Sequence, residues 1–459
     1  MKVVEVLSPK DLLQLTRRVC ELGSEKTLAL ARRWRPQDGA PVVTIRGQYT
    51  ARSWTQWTQG FQFGNALLCF ESTGEPELFR FGAESTLSVM PTHLTHIGVH
   101  DHGFNTISTF GQLRRLILEH AADCHATHLE ACDLAIRVSG AVQASRWKDI
   151  GNGDGYIYSF NGPQSLFIDT IRSLRVLGLS HQLGHELFGE QDERFDLLER
   201  LLAHARTTSK FNIFFGEGRD VYDTEEFRGR TVHESIFNTV GGSYRCPSSQ
   251  QGYSPFSTWT RGLAWAMLGF AEQLEFLNSL LATHPETLAS AIEMMRKAAI
   301  ATCDFYIDRA SARDGICYWD TGAPRLHELG DWRDRDAEPM NDVEPVDASA
   351  SVVAAQGLLR LGHVLGGSGN RYTQAGLGIA KRLFGEPYLA TGDGVEGLLL
   401  HSIYHRPNGW DYVPPGSSIP YGESSMWGDY HLLELALLVR RMAEDRYYTF
   451  FSIDPEVAR

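Results

Sequence analysis

LAWAMLGFAEQLEFL, residues 263–277, decides the fold. Apolar side chains return there at i, i+3 and i+4, the period of an α-helix and not of a strand. The same spacing runs through LLERLLAHA (197–205), ASAIEMMRKAAIATCDFYI (289–307), SVVAAQGLLRLGHVL (351–365) and DYHLLELALLVRRMA (429–443). Alternating patterns are few and short: PVVTIRG (41–47) and YIYSF (156–160). Gly-, Pro- and Asp-rich connections such as GNGDG (151–155) and YVPPGSSIPYG (412–422) separate the helices. No linker divides the chain, so one domain over 1–459 is expected. No fixed repeat length emerges, which argues against an open solenoid. A closed toroid of helical hairpins is the alternative, with loops at one rim carrying polar residues to a central cleft.

Composition narrows the class. The 459 residues are 42% hydrophobic and 22% charged, ordinary for a water-soluble globular protein. A net charge of −13 without a long basic run argues against nonspecific nucleic-acid binding. No stretch approaches the roughly 18 apolar residues of a membrane span. The N-terminal MKVVEVLSPKDLLQLTRRVCELG lacks a signal-peptide core and reads as an amphipathic helix starting near Ser8, with Pro9 in its first turn. The seven cysteines (20, 69, 124, 132, 246, 303 and 317) are irregularly spaced, with no CxxC. Free thiols and a cytoplasmic location are expected.

SLFIDTIRSL (165–174) poses the chemical question, because Asp169 sits among Leu166, Phe167, Ile168, Ile171 and Leu174. A carboxylate in such company must be paired, hydrogen-bonded or protonated. HDHGF (100–104) sets Asp101 beside His100 and His102, and HLTHIGVHDH holds four histidines in ten residues. Their spacing does not match a zinc site, and HQLGH (181–185) lacks the glutamate of HExxH, so no metal is expected. In QGYSPFSTWTRGLAW (251–265), Ser257 or Thr258 is a candidate helix cap. Arg261 and Trp265 are four residues apart and share a helical face, where they could clamp a sugar carboxylate and stack on its ring. WTQGF (57–61) reads by itself as core packing, WGDYHLLELAL (427–437) as a structural helix, and Asp320 and Asp347 as caps or loop acceptors. No nucleotide-binding or GxSxG motif is present, so no cofactor is expected.

In chain order, WTQGF, HDHGF, SLFIDTIRSL, HARTTSK, VHES, QGYSPFSTWTRGLAW, YWDTGAP, DASASVVAAQGLLRL and WGDY resemble the unsaturated glucuronyl hydrolases, glycoside hydrolase family 88. The resemblance runs from about Trp54 to the WGDY helix. It implies an all-α (α/α)6 barrel with short β segments in rim loops. It also implies removal of a 4,5-unsaturated uronic acid from lyase-derived, glycosaminoglycan-type oligosaccharides by hydration of the vinyl ether. Motif matching then makes Asp169 the proton donor and base, with its pKa raised by apolar neighbours, and Asp101 the second acid. His100, His233, Gln251 and Arg261 become polar substrate contacts, and Trp57 and Trp265 aromatic walls. An unsaturated rhamnogalacturonyl hydrolase shares this chemistry. A helical-barrel sugar epimerase would instead need paired histidines acting at C2. Two departures stand out: Leu263 occupies a position where the family usually has Gln, and RLHELGDWRDRDAEPMNDVEP (325–345) looks inserted, either as a flexible rim loop or as a solvated excursion.

Overall fold

The computed structural model describes residues 1–2, 5–52, 56–119, 126–281 and 285–452. The sequence expectations at Trp54 and Cys124 lie outside these residues. The helices are α1 (Leu13–Arg33), α2 (Gln59–Thr73), α3 (Pro76–Ser88), α4 (Pro91–Leu94), α5 (His102–Thr106), α6 (Gln112–Leu118), α7 (Ala126–Ser145) and α8 (Thr170–Ser173). They continue with α9 (Arg175–Gln182), α10 (Leu197–Asn212), α11 (Thr260–Leu280), α12 (Pro285–Phe305), α13 (Ala348–Leu365), α14 (Asn370–Leu383) and α15 (Met426–Ala443). A π-helical turn, Ile107–Gly111, joins α5 to α6.

Contacts between helices close a ring. The inner wall runs α2, α5–α6, α8–α9, α11, α13 and α15, and α15 packs back on α2. The outer layer is α1, α3, α7, α10, α12 and α14, each packed on inner helices. This is the (α/α)6 barrel. The sequence explains which helix goes where. Every residue of α11 from Thr260 to Leu277 is buried, as is every residue of α13 from Ala348 to Gly362. A helix apolar on nearly all sides belongs inside, whereas α1 and α14 keep an exposed face.

The strands are short: β1 (Pro41–Ile45) with β2 (Gln48–Ala51), β3 (Trp147–Gly151) with β4 (Asp154–Ile157), and β6 (Glu186–Phe188) with β7 (Arg194–Asp196). A three-stranded antiparallel sheet has the order β5 (Ser165–Phe167), β8 (Glu234–Phe237), β9 (Tyr244–Ser248). The strand expected at 156–160 ends at Ile157, because its partner β3 begins at Trp147 opposite that residue. The helical run begins near Ser8 as expected, but as a 3-10 turn, Pro9–Leu12, that leads into α1; Ser8 and Asp11 form a capping box at its start.

Beneath the centre of the ring lie five buried arginines and five buried glutamates. Arg172 meets Glu272 at 3.1 Å and Glu434 at 2.8 Å, Arg175 meets Glu272 at 3.5 Å, and Arg360 meets Glu275 at 2.9 Å. Arg441 binds Glu71 and Glu119 at 2.5 Å each, and Arg115 joins both glutamates. Such charges tolerate burial only because each is paired. Tyr448, under the Arg115 guanidinium at 4.8 Å, and Phe450 and Phe451, against Phe276, close this end.

Candidate active site

A cavity of about 250 Å³ opens at the other end of the ring. Its floor is built by two chain segments that glycine brings together. β5 pairs with β8, the Ile168 N–H donates to the His233 carbonyl at 2.9 Å, and the chain then turns into α8 at Asp169. Asp101 occupies the equivalent position before α5. The Gly103 N–H donates to Ser173 Oγ at 2.9 Å, and Ser173 Oγ donates to the His100 carbonyl at 2.8 Å. A Cβ at residue 103 would lie 1.9 Å from the Ser173 carbonyl oxygen, so only glycine permits this approach. The glycine of HDHGF and the serine of SLFIDTIRSL are thus one contact, and it sets both carboxylates around one imidazole.

His100 Nε2 lies 3.3 Å from Asp169 Oδ1 and 3.6 Å from Asp101 Oδ1. His100 is 1% exposed, Asp169 8% and Asp101 9%. Burial opposes the charge on His100, but Asp101 and then Asp169 outweigh it and raise its pKa. Burial raises Asp101, only partly offset by His100. Burial also pushes Asp169 up, yet contact with His100 prevails, aided by His233 and Arg261, and the pKa falls below the usual aspartate value. The sequence expectation of a raised Asp169 is therefore corrected. Apolar neighbours surround its backbone, but its carboxyl faces cations.

Of the residues singled out from the sequence, Trp57, His100, Asp101, Asp169, Gln251, Arg261 and Trp265 line the cavity. Trp57 stacks on Trp427 with centroids 5.2 Å apart, so the WGDY helix supports one wall from behind. His233 is not part of the lining. It lies under Phe167 and Trp259, and its Nδ1 accepts the N–H groups of Gln250 at 3.0 Å and Gln251 at 3.2 Å. It holds the glutamine loop in place, and burial pushes its pKa down to about 3.

Arg261 is engaged within the protein. One terminal nitrogen donates to Asp347 Oδ2 at 3.2 Å and to the Ile403 carbonyl, the other to Gln251 Oε1 at 2.8 Å and to the Tyr404 carbonyl at 2.7 Å. No terminal N–H remains for a sugar carboxylate while Gln251 stays in place, which corrects the expected clamp. Asp347, the expected cap, accepts from Ser349 and Ala350 at the start of α13, and Asp320 accepts from Tyr253 and Gly322. Ser257 and Thr258 do not cap α11. Trp259 precedes its first turn, and the Thr258 hydroxyl donates to the Thr231 carbonyl. Leu263 is wholly buried in the core, so the departure there touches no cleft contact.

Sequence reasoning missed Tyr404, His405, Asn408 and Trp410, which line the cavity and come from one loop. The signal was YHRPNGWDY, dense in aromatic and polar residues between two helices. None of residues 325–345 or 412–425 lines the cavity. Asn341 Nδ2 binds the Glu338 and Glu344 carbonyls, and Glu423 accepts from Thr44 and Gly47. Both segments are built scaffold. Among the described residues, no group of three or more His, Cys, Asp or Glu could hold a metal ion.

No family model matches the chain. It is 27% identical to the unsaturated glucuronyl hydrolase of Bacillus sp. strain GL1 over 412 residues, covering 87% of this chain and 90% of the relative. An unsaturated chondroitin disaccharide hydrolase of Streptococcus pyogenes serotype M1 is 23% identical over 411 residues, 87% and 85% of the two chains. In three dimensions the Bacillus sp. GL1 enzyme superposes with a TM-score of 0.67 at 23% identity, covering 94% of this chain and 95% of that one. An unsaturated glucuronyl hydrolase specific for heparin gives 0.70 at 20% identity, covering 96% and 100%. Along nearly nine-tenths of its length the chain is thus similar to unsaturated glucuronyl hydrolases, and it shares their barrel.

Proposed function

We propose that the protein removes a 4,5-unsaturated uronic acid from the non-reducing end of lyase-derived oligosaccharides by hydrating its vinyl ether, with residues 1–459 acting as one catalytic domain. The observation that carries this is His100 between Asp169 and Asp101 on the floor of an aromatic-walled cavity. Relatives named unsaturated glucuronyl and unsaturated chondroitin disaccharide hydrolases support a glycosaminoglycan-type aglycone.

In the free site, contact with His100 keeps the pKa of Asp169 below the usual aspartate value, while His100 and Asp101 beside it hold a proton more readily than ordinary groups of their kind. An incoming uronate brings another anion and displaces water, and both raise the proton affinity of Asp169. The contact with His100 Nε2 is its route to a proton. Asp169 then protonates C4, and positive charge develops at C5 and the ring oxygen. A water deprotonated by the same carboxylate adds to C5. The hemiketal opens to a ketone, C1 becomes a hemiacetal, and the aglycone leaves as an alcohol. Trp57 and Trp265 offer faces to the ring. Arg261 and His233 act through the Gln250–Gln251 loop, and the Arg261 charge draws the anion into an acidic protein.

A cytoplasmic location is proposed from the thiols: Cys20, Cys69, Cys303 and Cys317 are free and buried, and Cys246 is free and exposed. No described helix is long and apolar enough to cross a membrane. The test of function is loss of the vinyl-ether ultraviolet absorbance over a panel of lyase-generated disaccharides. Efficient cleavage of saturated uronosyl disaccharides would refute hydration.

A further inference from the structure

Asp320, in the YWDTGAP segment, is wholly buried and lies outside the cavity lining. Two backbone groups donate to its carboxylate: the Tyr253 N–H to Oδ2 at 2.8 Å and the Gly322 N–H to Oδ1 at 2.9 Å. An antiparallel bridge sets Asp320 opposite Trp259. It is flanked by the Thr260 N–H, which donates to the Trp319 carbonyl at 3.2 Å, and the Thr321 N–H, which donates to the Thr258 carbonyl at 3.0 Å. The loop from Gln250 to Arg261 thus passes Asp320 twice. It carries four residues of the cavity lining: Gln250, Gln251, Trp259 and Arg261. Gly252 permits the close approach, since a Cβ there would lie 2.8 Å from Trp259 Cβ and 3.0 Å from Asp320 Oδ2. His233 holds the other side of the same turn through the Gln250 and Gln251 N–H groups.

We propose that Asp320 is a positioning residue for the proposed hydration: its grip on the Tyr253 N–H, behind Gly252, holds Gln251 and Trp259 at the cavity wall. This rests on the function proposed above. A buried carboxylate fastened by backbone donors alone is a costly anchor for a loop. Its surroundings leave it uncompensated. The loop side contributes Tyr253 and the Ser257 hydroxyl, and the segment before α13 contributes a second anion, Glu344. Arg261, at the start of α11, is turned to Asp347 and Gln251. Burial, with Glu344, pushes the Asp320 pKa up to about 6. Above that value the carboxylate accepts both N–H groups. Below it one oxygen carries a proton, and one of the two contacts weakens. The grip is tight in the neutral range and slack in acid.

Asp320→Asn copies the protonated acid, with one oxygen left to accept and an N–H in place of the O–H. The measurements are KM and kcat on an unsaturated disaccharide between about pH 5 and about pH 8, melting scans, and hydrogen-exchange protection of the Tyr253 amide. At about pH 8 the variant should raise KM about tenfold with kcat little changed. Its KM should then stay flat, while wild-type KM climbs towards it as pH falls through about 6. The variant should melt no lower than wild type at about pH 8, because a carboxyl whose pKa is raised by burial costs the fold stability once it ionises. Wild-type KM at every pH, with at most a lowered melting temperature, is the mark of a plain loop anchor and would overturn the inference. If Asp320→Asn does not fold, Glu344→Gln decides. Loss of that neighbouring anion should move the break in KM to lower pH, and an unmoved break overturns the inference. Wild type inert on every unsaturated disaccharide would refute the proposed function instead. Protection of the Tyr253 amide, lower in Asp320→Asn than in wild type at about pH 8, would still read the grip.

Discussion

Asp169→Asn tests the proton-transfer site and the electrostatics around it together. Asparagine preserves shape but can neither donate a proton to C4 nor take one from water. Removing a positioned acid–base group costs about a hundredfold to ten-thousandfold. Because Asp169 would serve in both the protonation and the hydration step, the upper half of that range applies, at least about a thousandfold in kcat, or roughly 4 kcal/mol of barrier. Stability supplies an independent signature. The lowered pKa of Asp169 contributes stability present above the ordinary aspartate value of 3.8 and lost as pH falls through the lowered value. The raised pKa of His100 contributes stability fully present below the ordinary histidine value of 6.5 and lost as pH rises through the raised value. The variant should therefore be less stable than wild type between these two values, by on the order of 1 kcal/mol. At higher pH His100 is neutral, the wild-type carboxylate is buried without its cation, and the deficit closes or reverses. Turnover by vinyl-ether absorbance and melting scans across pH measure both effects. A variant retaining a tenth of wild-type turnover, or a stability difference independent of pH, would refute the assignment.

Arg261→Ala should cost about 3–5 kcal/mol of stability, because it strands the Asp347 carboxylate; a melting temperature equal to wild type would contradict the buried pairing. Gly103→Ala forces the α5 start away from Ser173 and should abolish turnover even where the protein still folds, with circular dichroism and activity read side by side. Overnight dialysis against EDTA should leave turnover intact, and loss restored by a divalent cation would reassign the chemistry. Trp410→Ala should raise KM for longer oligosaccharides more than for disaccharides, since its ring forms the outer wall beside His405.

The helices were legible because the period of 3.6 is written into the long apolar segments, and 263–277 and 351–365 show it plainly; their closure into a barrel was implied by the family resemblance and not by the period. What periodicity could not tell is which helices form the inner wall. That depends on α11 and α13 being apolar nearly all round, a difference of degree that a stripe pattern hides. Asp169 and Asp101 were identifiable as motifs, but their pKa directions were not, because apolar neighbours in sequence say nothing of which cations face the carboxyl in space. Arg261 misled for the same reason: its partners Asp347, Ile403 and Tyr404 lie far along the chain, and no local pattern announces them. The Tyr404–Trp410 wall escaped because loops carry no period at all.

The charged seal beneath the barrel bears on what kind of polymer chemistry the protein can perform. A tunnel lets a chain thread through, so an enzyme can cut anywhere along it or travel from cut to cut. Here Arg172 sits under the Trp265 ring at 5.7 Å, and the layer of ion pairs and the Tyr448–Phe451 segment lie below. Among the described residues, these groups close the cleft at its inner end. Under the proposed function, a sugar would reach Asp169 only as the last residue of its chain, and the freed uronate would stay behind the aglycone until that has gone. Each turnover must then end in complete dissociation. On that reading the dead end itself would confine the protein to trimming termini.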